Sequence, residues 1–273
     1  VDVLRVTVNT PSEARKVVDS LVVLGVDFIK VHQQISKDAY LAVAEQAAKH
    51  KIPFVGHKPA SLPLQDVIKA GQSSIEHTLF TPDLNDTTIS LLKEAGVYFT
   101  PNLLIIDKIA RYYEASLQND KRLDLISPML KQHWKKQTEA WGANVKQTVE
   151  YMQTAMPGMQ QQTASLQKAG VPLLAGTDLG VPNIYPGSSL HEELELLVRS
   201  GLSPLQALQT ATINPARFFK KEYEIGSIQK GMRANLVLLN ANPLKDISNT
   251  RDINLVFFEG KVFNRKSLDA LLK

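Results

Sequence analysis

Ile52-Pro53-Phe54-Val55-Gly56-His57-Lys58-Pro59 is a short apolar run that ends in a histidine and breaks at once into a turn. A run of this length fits a strand buried on both faces of a parallel sheet. A histidine at the end of such a strand sits at the carboxyl edge of the sheet, where α/β proteins place their chemistry. A lone strand-end histidine is more often a satisfied structural residue than a ligand. Here the pattern recurs. Asp27-Phe-Ile-Lys30-Val-His32 precedes the run, Ser73-Ser-Ile-Glu76-His77 and Val97-Tyr-Phe-Thr100-Pro101 come after it, and Val171-Pro-Leu-Leu-Ala-Gly-Thr-Asp178 lies further on.

Helical signals fill the gaps. Thr10-Pro11-Ser-Glu13 opens a helix with a capping residue, a proline at its first position and a glutamate three after the cap; Val17, Val18, Leu21 and Val22 give it one apolar face, and Gly25 ends it. Ser36 caps a second helix running to His50, Ser61–Ala70 forms a short one closed by Gly71, and Asn85 or Asp86 caps another that stops at Gly96. Strands alternating with helices in this way describe successive βα units on a parallel sheet. Val3–Val8 alternates weakly, as a first strand or an extended lead-in.

The rhythm breaks at residues 103–168, rich in Gln, Lys and Tyr, where apolar spacing (Ile105, Ile109, Tyr112; Leu123, Ile126, Leu130, Trp134; Val145, Val149, Met152) predicts two or three inserted helices. They are either an amphipathic prop on the sheet or a lid that shapes a substrate pocket. After the apolar strand ending in Asp178, Ser188 or Ser189 opens one helix, Ser203 caps the next and Asn214-Pro215 starts a last short turn. From Ile225 onward, glycines and short apolar runs (236–239, 255–258, 260–262) change the texture to that of a small β-sandwich. The expected division is therefore 1–223 and 224–273.

The totals narrow the functions open to such a chain. Its 273 residues suffice for one large domain with a small appendage, and 44% hydrophobic with 21% charged residues is ordinary for a globular protein. A net charge of +4 without basic runs and interleaved aromatics gives no reason to expect nucleic acid. No apolar stretch approaches the roughly 18 residues of a membrane span. With no cysteine, disulfides and thiolate ligands are excluded, while compartment, cytoplasmic or exported, stays open. The chain begins at Val1 with neither Met nor a signal-like apolar segment, which reads as a missing N-terminal portion.

Lys30, His57, His77 and Asp178 thus end four apolar strands that would converge over one sheet edge. Imidazole nitrogens and carboxylate oxygens suit Zn²⁺ or a similar divalent ion, beside which a water ionises near neutral pH. A lysine ligates only if its amine becomes a carbamate; otherwise Lys30 would be an ion-pair partner, for instance of Asp178. His191, one helical turn from Glu195, is either a substrate contact or a surface residue, the latter the better reading; His50 and His133 read as surface positions.

With those residues in place, the chain resembles the amidohydrolase superfamily. Phe-Ile-Lys30-Val, Val-Gly-His57, Ile-Glu76-His77 and Ala-Gly-Thr-Asp178 are similar to its metal-site strands four, five, six and eight. Gly201-Leu-Ser-Pro-Leu-Gln-Ala-Leu-Gln-Thr-Ala-Thr-Ile-Asn-Pro-Ala and Gly226-Ser-Ile-Gln-Lys-Gly-Met-Arg-Ala-Asn-Leu-Val resemble its segments beyond strand eight. The closest branch is that of imidazolonepropionase-like and Xaa-Pro-dipeptidase-like hydrolases. The resemblance implies a (β/α)8 TIM-type barrel, here incomplete with strands four to eight, plus the C-terminal strands of a small β-sandwich. It implies metal ligation by carbamylated Lys30, His57, His77 and Asp178, with Asp178 also carrying the catalytic proton, and hydrolysis of amide, peptide or cyclic-amide C–N bonds in a small-molecule or dipeptide-like substrate.

The family's His-X-His pair is missing: the six histidines are His32, His50, His57, His77, His133 and His191. His32 precedes any place where that motif would count. The expectation is therefore one bound zinc at most, weakened carbamylation of Lys30, no turnover by this chain alone, and association with a second copy or with a missing N-terminal half. Asn235 stands where the family usually has Asp and reads as a turn residue. Two other functions compete: a non-catalytic scaffold subunit that keeps partial metal binding, and a metal-free barrel segment whose Lys30 takes a phosphate or a Schiff-base substrate.

Overall fold

A computed structural model describes residues 5–141 and 144–271 and divides into two compact units: Val1–Pro101 with Ser165–Leu173, and Asn102–Ala164 with Leu174–Lys273. The first unit opens with α1 (Pro11–Val23), which carries the full capping box expected of Thr10 and Glu13. Residues 5–9 form no strand. Four strands and three helices then alternate: β1 (Ile29–Val31), α2 (Lys37–His50, capped by Ser36), β2 (Phe54–Gly56), α3 (Leu64–Lys69), β3 (Ser74–Glu76), α4 (Asp86–Glu94, capped by Asn85) and β4 (Tyr98–Thr100). The strands pair in parallel in the order β1-β2-β3-β4, as the alternation predicted.

The apolar residues of β2 are buried on both faces, as are Ile75 and Phe99 in the neighbouring strands. Beneath β2 lies Gln72, fully buried. Its amide nitrogen donates to Gly56 O (2.8 Å) and Ser74 O (3.0 Å), and its oxygen accepts from the Tyr40 hydroxyl at 2.9 Å. This amide leaves none of its main polar capacity unmet, which is what makes its burial tolerable. Burial pushes the Tyr40 phenol well above its ordinary pKa, so it acts here only as a neutral donor.

The expected strand 171–178 is a correction. Only Leu173 makes a bridge, to Phe99, with Phe99 N–H donating to Pro172 O at 3.0 Å. Pro172 has no N–H for a ladder and Gly176 weakens any strand beyond it, so the run is extended without being a strand among the described residues.

The second unit holds α5 (Leu103–Ala110), α6 (Ala115–Gln118), α7 (Pro128–Trp141) and much of α8 (Val145–Ala169), with a 3₁₀ turn at Lys121–Leu125. The insertion thus contains more helices than the two or three its apolar spacing implied. Ile126, Trp134 and Tyr185 form its small apolar cluster. Then come α9 (Ser189–Arg199), α10 (Pro204–Thr210, with a capping box from Ser203 and Gln206) and α11 (Ile213–Phe218). An antiparallel sheet of β5 (Leu236–Leu239), β6 (Ile253–Phe258) and β7 (Lys261–Asn264) comes next, where the glycine-spaced runs foretold it. The closing helix α12 (Arg265–Ala270) has no counterpart among the sequence expectations, although Asn264 supplies its cap.

Hydrogen-bonded and ionic contacts organise the second unit. The fully buried Glu193 carboxyl group accepts the first two N–H groups of α5, from Leu103 (3.1 Å) and Leu104 (2.7 Å), as a hydrogen-bonded rather than an ionic contact. Next to it in sequence, Glu192 pairs with buried Lys108 at 2.9 Å and with Arg122 at 2.7 Å. The Arg122 guanidinium also pairs with Asp120 and lies 4.3 Å over the Tyr185 ring. No helix among the described residues is long and apolar enough to cross a membrane.

Candidate metal centre

The ladder register explains which side chains meet. Val31, Gly56, Ile75 and Phe99 form one row across the four strands. One step further along comes the row His32, His57, Glu76, Thr100, of which Glu76 and Thr100 are paired in register and His57 N–H still donates to Val31 O at 3.1 Å. Residues in one row share a face and stand about 4.8 Å apart, the spacing of neighbouring strands. The His32 and His57 ring centroids are 4.6 Å apart, as that spacing requires.

His77 belongs to the opposite parity, and strict alternation would point it away from Glu76. Its backbone prevents this. At φ 67 and ψ 115 it leaves the extended region, in a conformation L-residues rarely adopt. The break is held on both sides: His77 N–H donates to Thr100 O at 2.9 Å, and its carbonyl accepts from the buried Thr81 hydroxyl at 3.1 Å. The ring consequently stands edge-on to His57, centroids 4.7 Å apart. Strain of this kind costs about 1–3 kcal/mol and persists only where surrounding contacts over-determine it.

A second backbone constraint sits just before His57. Gly56 has φ 123, and a Cβ there would lie 2.2 Å from Val31 O. Only glycine allows β1 and β2 to approach this closely while the chain turns into His57.

One ligand atom each from His57, Glu76 and His77 lies within 4.8 Å of the others. Both imidazoles are buried. Burial first, then the neighbouring His77, His32, Lys30 and Arg5, holds the His57 pKa down at about 3, so its ring is neutral and keeps a lone pair for a cation. Nδ1 of His57 lies 2.9 Å from Gln33 Oε1. A tetrahedral ion with bonds near 2.1 Å sets its donors about 3.4 Å apart, so groups that all lie within 4.8 Å of one another are close to the span such an ion needs. Two neutral nitrogens and one carboxylate oxygen are a donor set that fits a divalent ion of the zinc type.

Of the expected residues, the first unit brings His57 and His77 together and adds Glu76, which escapes a sequence reading confined to strand-terminal side chains. Lys30 reaches the same cluster by its charge: its ammonium lies 2.7 Å from Glu76 Oε2 as an ion contact without a directed hydrogen bond. Asp178 is in the second unit, half-buried, outside any strand, with φ 55. His191 is a half-buried helix residue whose Nδ1 lies 2.9 Å from Thr250 Oγ1. His50 pairs with Asp19 at 2.6 Å, and His133 is exposed. The Asn235 side chain accepts from Glu259 N–H at 3.1 Å, a contact across 24 residues of sequence rather than the turn expected for it.

The first unit is thus a parallel α/β sheet whose strand ends gather two histidines and a carboxylate that could hold a cation, and the second carries a small antiparallel sheet. The chain belongs to the amidohydrolase family, whose family model matches residues 22–263. It is 26% identical over 265 residues to the ochratoxinase of Aspergillus niger, an alignment covering 95% of this chain and 48% of that protein. The chain thus spans about half the length of that relative. A shorter alignment, 41% identical over 91 residues, links 32% of the chain to 15% of an adenine deaminase of Clostridium botulinum (strain Loch Maree / Type A3). Among solved structures, a bottromycin amidohydrolase superposes with a TM-score of 0.77 at 24% identity, covering 99% of this chain and 63% of that one. A Xaa-Pro dipeptidase superposes with a TM-score of 0.71 at 22% identity, covering 94% and 59%. Both superpositions bear on the fold, which is of the barrel type expected.

Proposed function

We propose that this chain carries the cation-binding strands of a hydrolase that cleaves amide, peptide or cyclic-amide C–N bonds. The observation that carries the reading is the meeting of His57, Glu76 and His77 at the ends of β2 and β3, in a chain of the amidohydrolase family. The ochratoxinase, prolidase-type and amidohydrolase relatives support the C–N bond as the class of target. A divalent cation held there, zinc by the chemistry of its donors, would supply Lewis-acid polarisation of a carbonyl and an acidified water.

The remaining roles fall to the chain's own groups. His57, neutral by its burial, and His77 would donate imidazole nitrogens, and Glu76 would balance charge. Lys30, as an ammonium, pairs with Glu76 at 2.7 Å; as a carbamate it would place a second anion against Glu76, which needs more positive charge than one ion provides. One cation with a cationic Lys30 is therefore the state we assign. By the family resemblance, Asp178 would be the group that takes the proton of the attacking water and returns it to the departing amine nitrogen.

The test is metal content and turnover of the purified chain. One zinc or cobalt per chain, lost in His77→Ala, is the expected result, with hydrolysis of N-acyl amino acids or dipeptides only when the further length carried by its relatives is supplied, and that activity falling at least about 100-fold in Asp178→Asn. Two metals per chain, or metal binding unchanged in His77→Ala, would overturn it. A chain that binds the cation but turns over no amide even then would be the scaffold subunit instead, a reading favoured by the absence of any His-X-His among its residues.

A further inference from the structure

The cluster holds one imidazole outside the donor set of His57, Glu76 and His77. His32 lies just past the end of β1 and stacks on His57 with centroids 4.6 Å apart and planes tilted by 40°. Its neighbour Gln33 turns its side-chain oxygen to His57 Nδ1 at 2.9 Å. Both residues are half-buried. We propose that the His32-Gln33 pair completes the cation site, His32 as a third imidazole donor and Gln33 as the positioning residue that keeps the His57 proton on Nδ1.

Register and hydrogen-bond chemistry carry this assignment, which rests on the proposed cation site. His32 and His57 each follow the last recorded pair of the β1–β2 ladder, Val31–Gly56, by one residue, and their ring centroids lie 4.6 Å apart. Glu76 likewise follows Ile75, the β3 partner of Gly56, by one residue. His77 enters from the next residue through its broken backbone. A carbonyl oxygen accepts and cannot donate. Facing Gln33 Oε1, His57 Nδ1 must therefore carry the proton, which leaves the Nε2 lone pair for a cation. Outer partners of this kind orient a ligating imidazole and raise its basicity. Three imidazoles and a carboxylate would fill a tetrahedral site, with His32 moving in from outside the group of His57, Glu76 and His77.

The experiment titrates the chain with Zn²⁺ in competition with a chromophoric chelator and records the visible absorption of the Co²⁺ complex. The variants are His32→Phe, which keeps the ring volume, Gln33→Leu and Gln33→Glu, with exposed His133→Phe as the control. His32→Phe and Gln33→Leu should each weaken binding about 10–100-fold and His32→Phe should alter the Co²⁺ bands, while Gln33→Glu, still an acceptor at Nδ1, binds as wild type or tighter. Circular dichroism verifies that each variant is folded. If His77→Ala abolishes binding while His32→Phe or Gln33→Leu behaves like His133→Phe, the inference fails and the cation reading stands. If the unaltered chain binds neither Zn²⁺ nor Co²⁺, both fail.

Discussion

Replacing Gly56 with alanine probes the approach of β1 and β2 on which the position of His57 depends. An alanine Cβ would lie 2.2 Å from Val31 O, 2.9 Å from Val31 N and 3.1 Å from Val31 C. Comfortable carbon–oxygen contacts begin near 3.3 Å, so the strands must separate by about 1 Å at the pair Val31–Gly56. The backbone also has φ 123, a region that is essentially glycine's own. Forced dihedrals cost about 1–3 kcal/mol and overpacking a further 1–3 kcal/mol, so the expected loss is about 2–6 kcal/mol. Gly25→Ala separates the two contributions. Gly25 also has positive φ (75), but nothing lies within 4 Å of its Cβ, so the backbone cost of about 1–2 kcal/mol stands alone. Urea unfolding followed by circular dichroism measures both, and Zn²⁺ titration reports on His57. Gly56→Ala should be the less stable of the two by at least about 1 kcal/mol and should bind the cation more weakly. Equal stabilities for the two variants, with an unchanged Zn²⁺ affinity, would refute the close approach as the reason for glycine here.

The strain at His77 can be measured in the same way. His77→Gly should be more stable than His77→Ala by about 1 kcal/mol in urea, because alanine keeps the unfavourable φ and glycine relieves it; neither should bind the cation, and the reverse order of stability would contradict the strain. Glu193 gives a pH dependence. Burial pushes its carboxyl from 4.5 up to about 8, against the opposing pull of the Leu104 and Leu103 N–H groups, with Asp107 adding a smaller push upward. The folded chain therefore holds that proton more tightly than the unfolded chain, and the associated stability, on the order of a few kcal/mol, is lost as pH rises from about 4.5 through about 8. Unfolding midpoints at pH 5.5 and 8.5 should differ less in Glu193→Gln than in the wild type; identical slopes would count against the assignment. Glu192→Ala strands buried Lys108 and should cost about 3–5 kcal/mol, much of it recovered by adding Lys108→Met. A double-mutant cycle showing simple additivity would mean the two charges are not coupled.

Much of the first unit is legible in the sequence because local rules and tertiary structure agree there. Thr10, Ser36 and Asn85 cap their helices through side-chain oxygens whose reach is purely local, and short apolar runs between such helices have few places to go except a parallel sheet. The 171–178 run misleads for the opposite reason: its composition is that of a strand, but Pro172 and Gly176 limit the backbone pairing that makes one. Residues 103–168 hold more helices than their pattern suggests because amphipathic spacing marks faces better than it marks breaks.

The sequence by itself determined which residues could do chemistry. Lys30, His57, His77 and Asp178 stand out because ligand-type side chains recur in four separate apolar runs, although the run before Asp178 is not a strand. It could not decide partners, since those depend on register and on single dihedral angles. The parallel ladder sets His32 beside His57 at the fixed spacing of neighbouring strands, though 25 residues of chain (57 minus 32) separate them. One left-handed backbone at His77 turns a side chain of the wrong parity back toward Glu76, and Lys30 finds its counter-charge there. Those outcomes arise from pairing and close packing, which act between segments and leave no mark within either one.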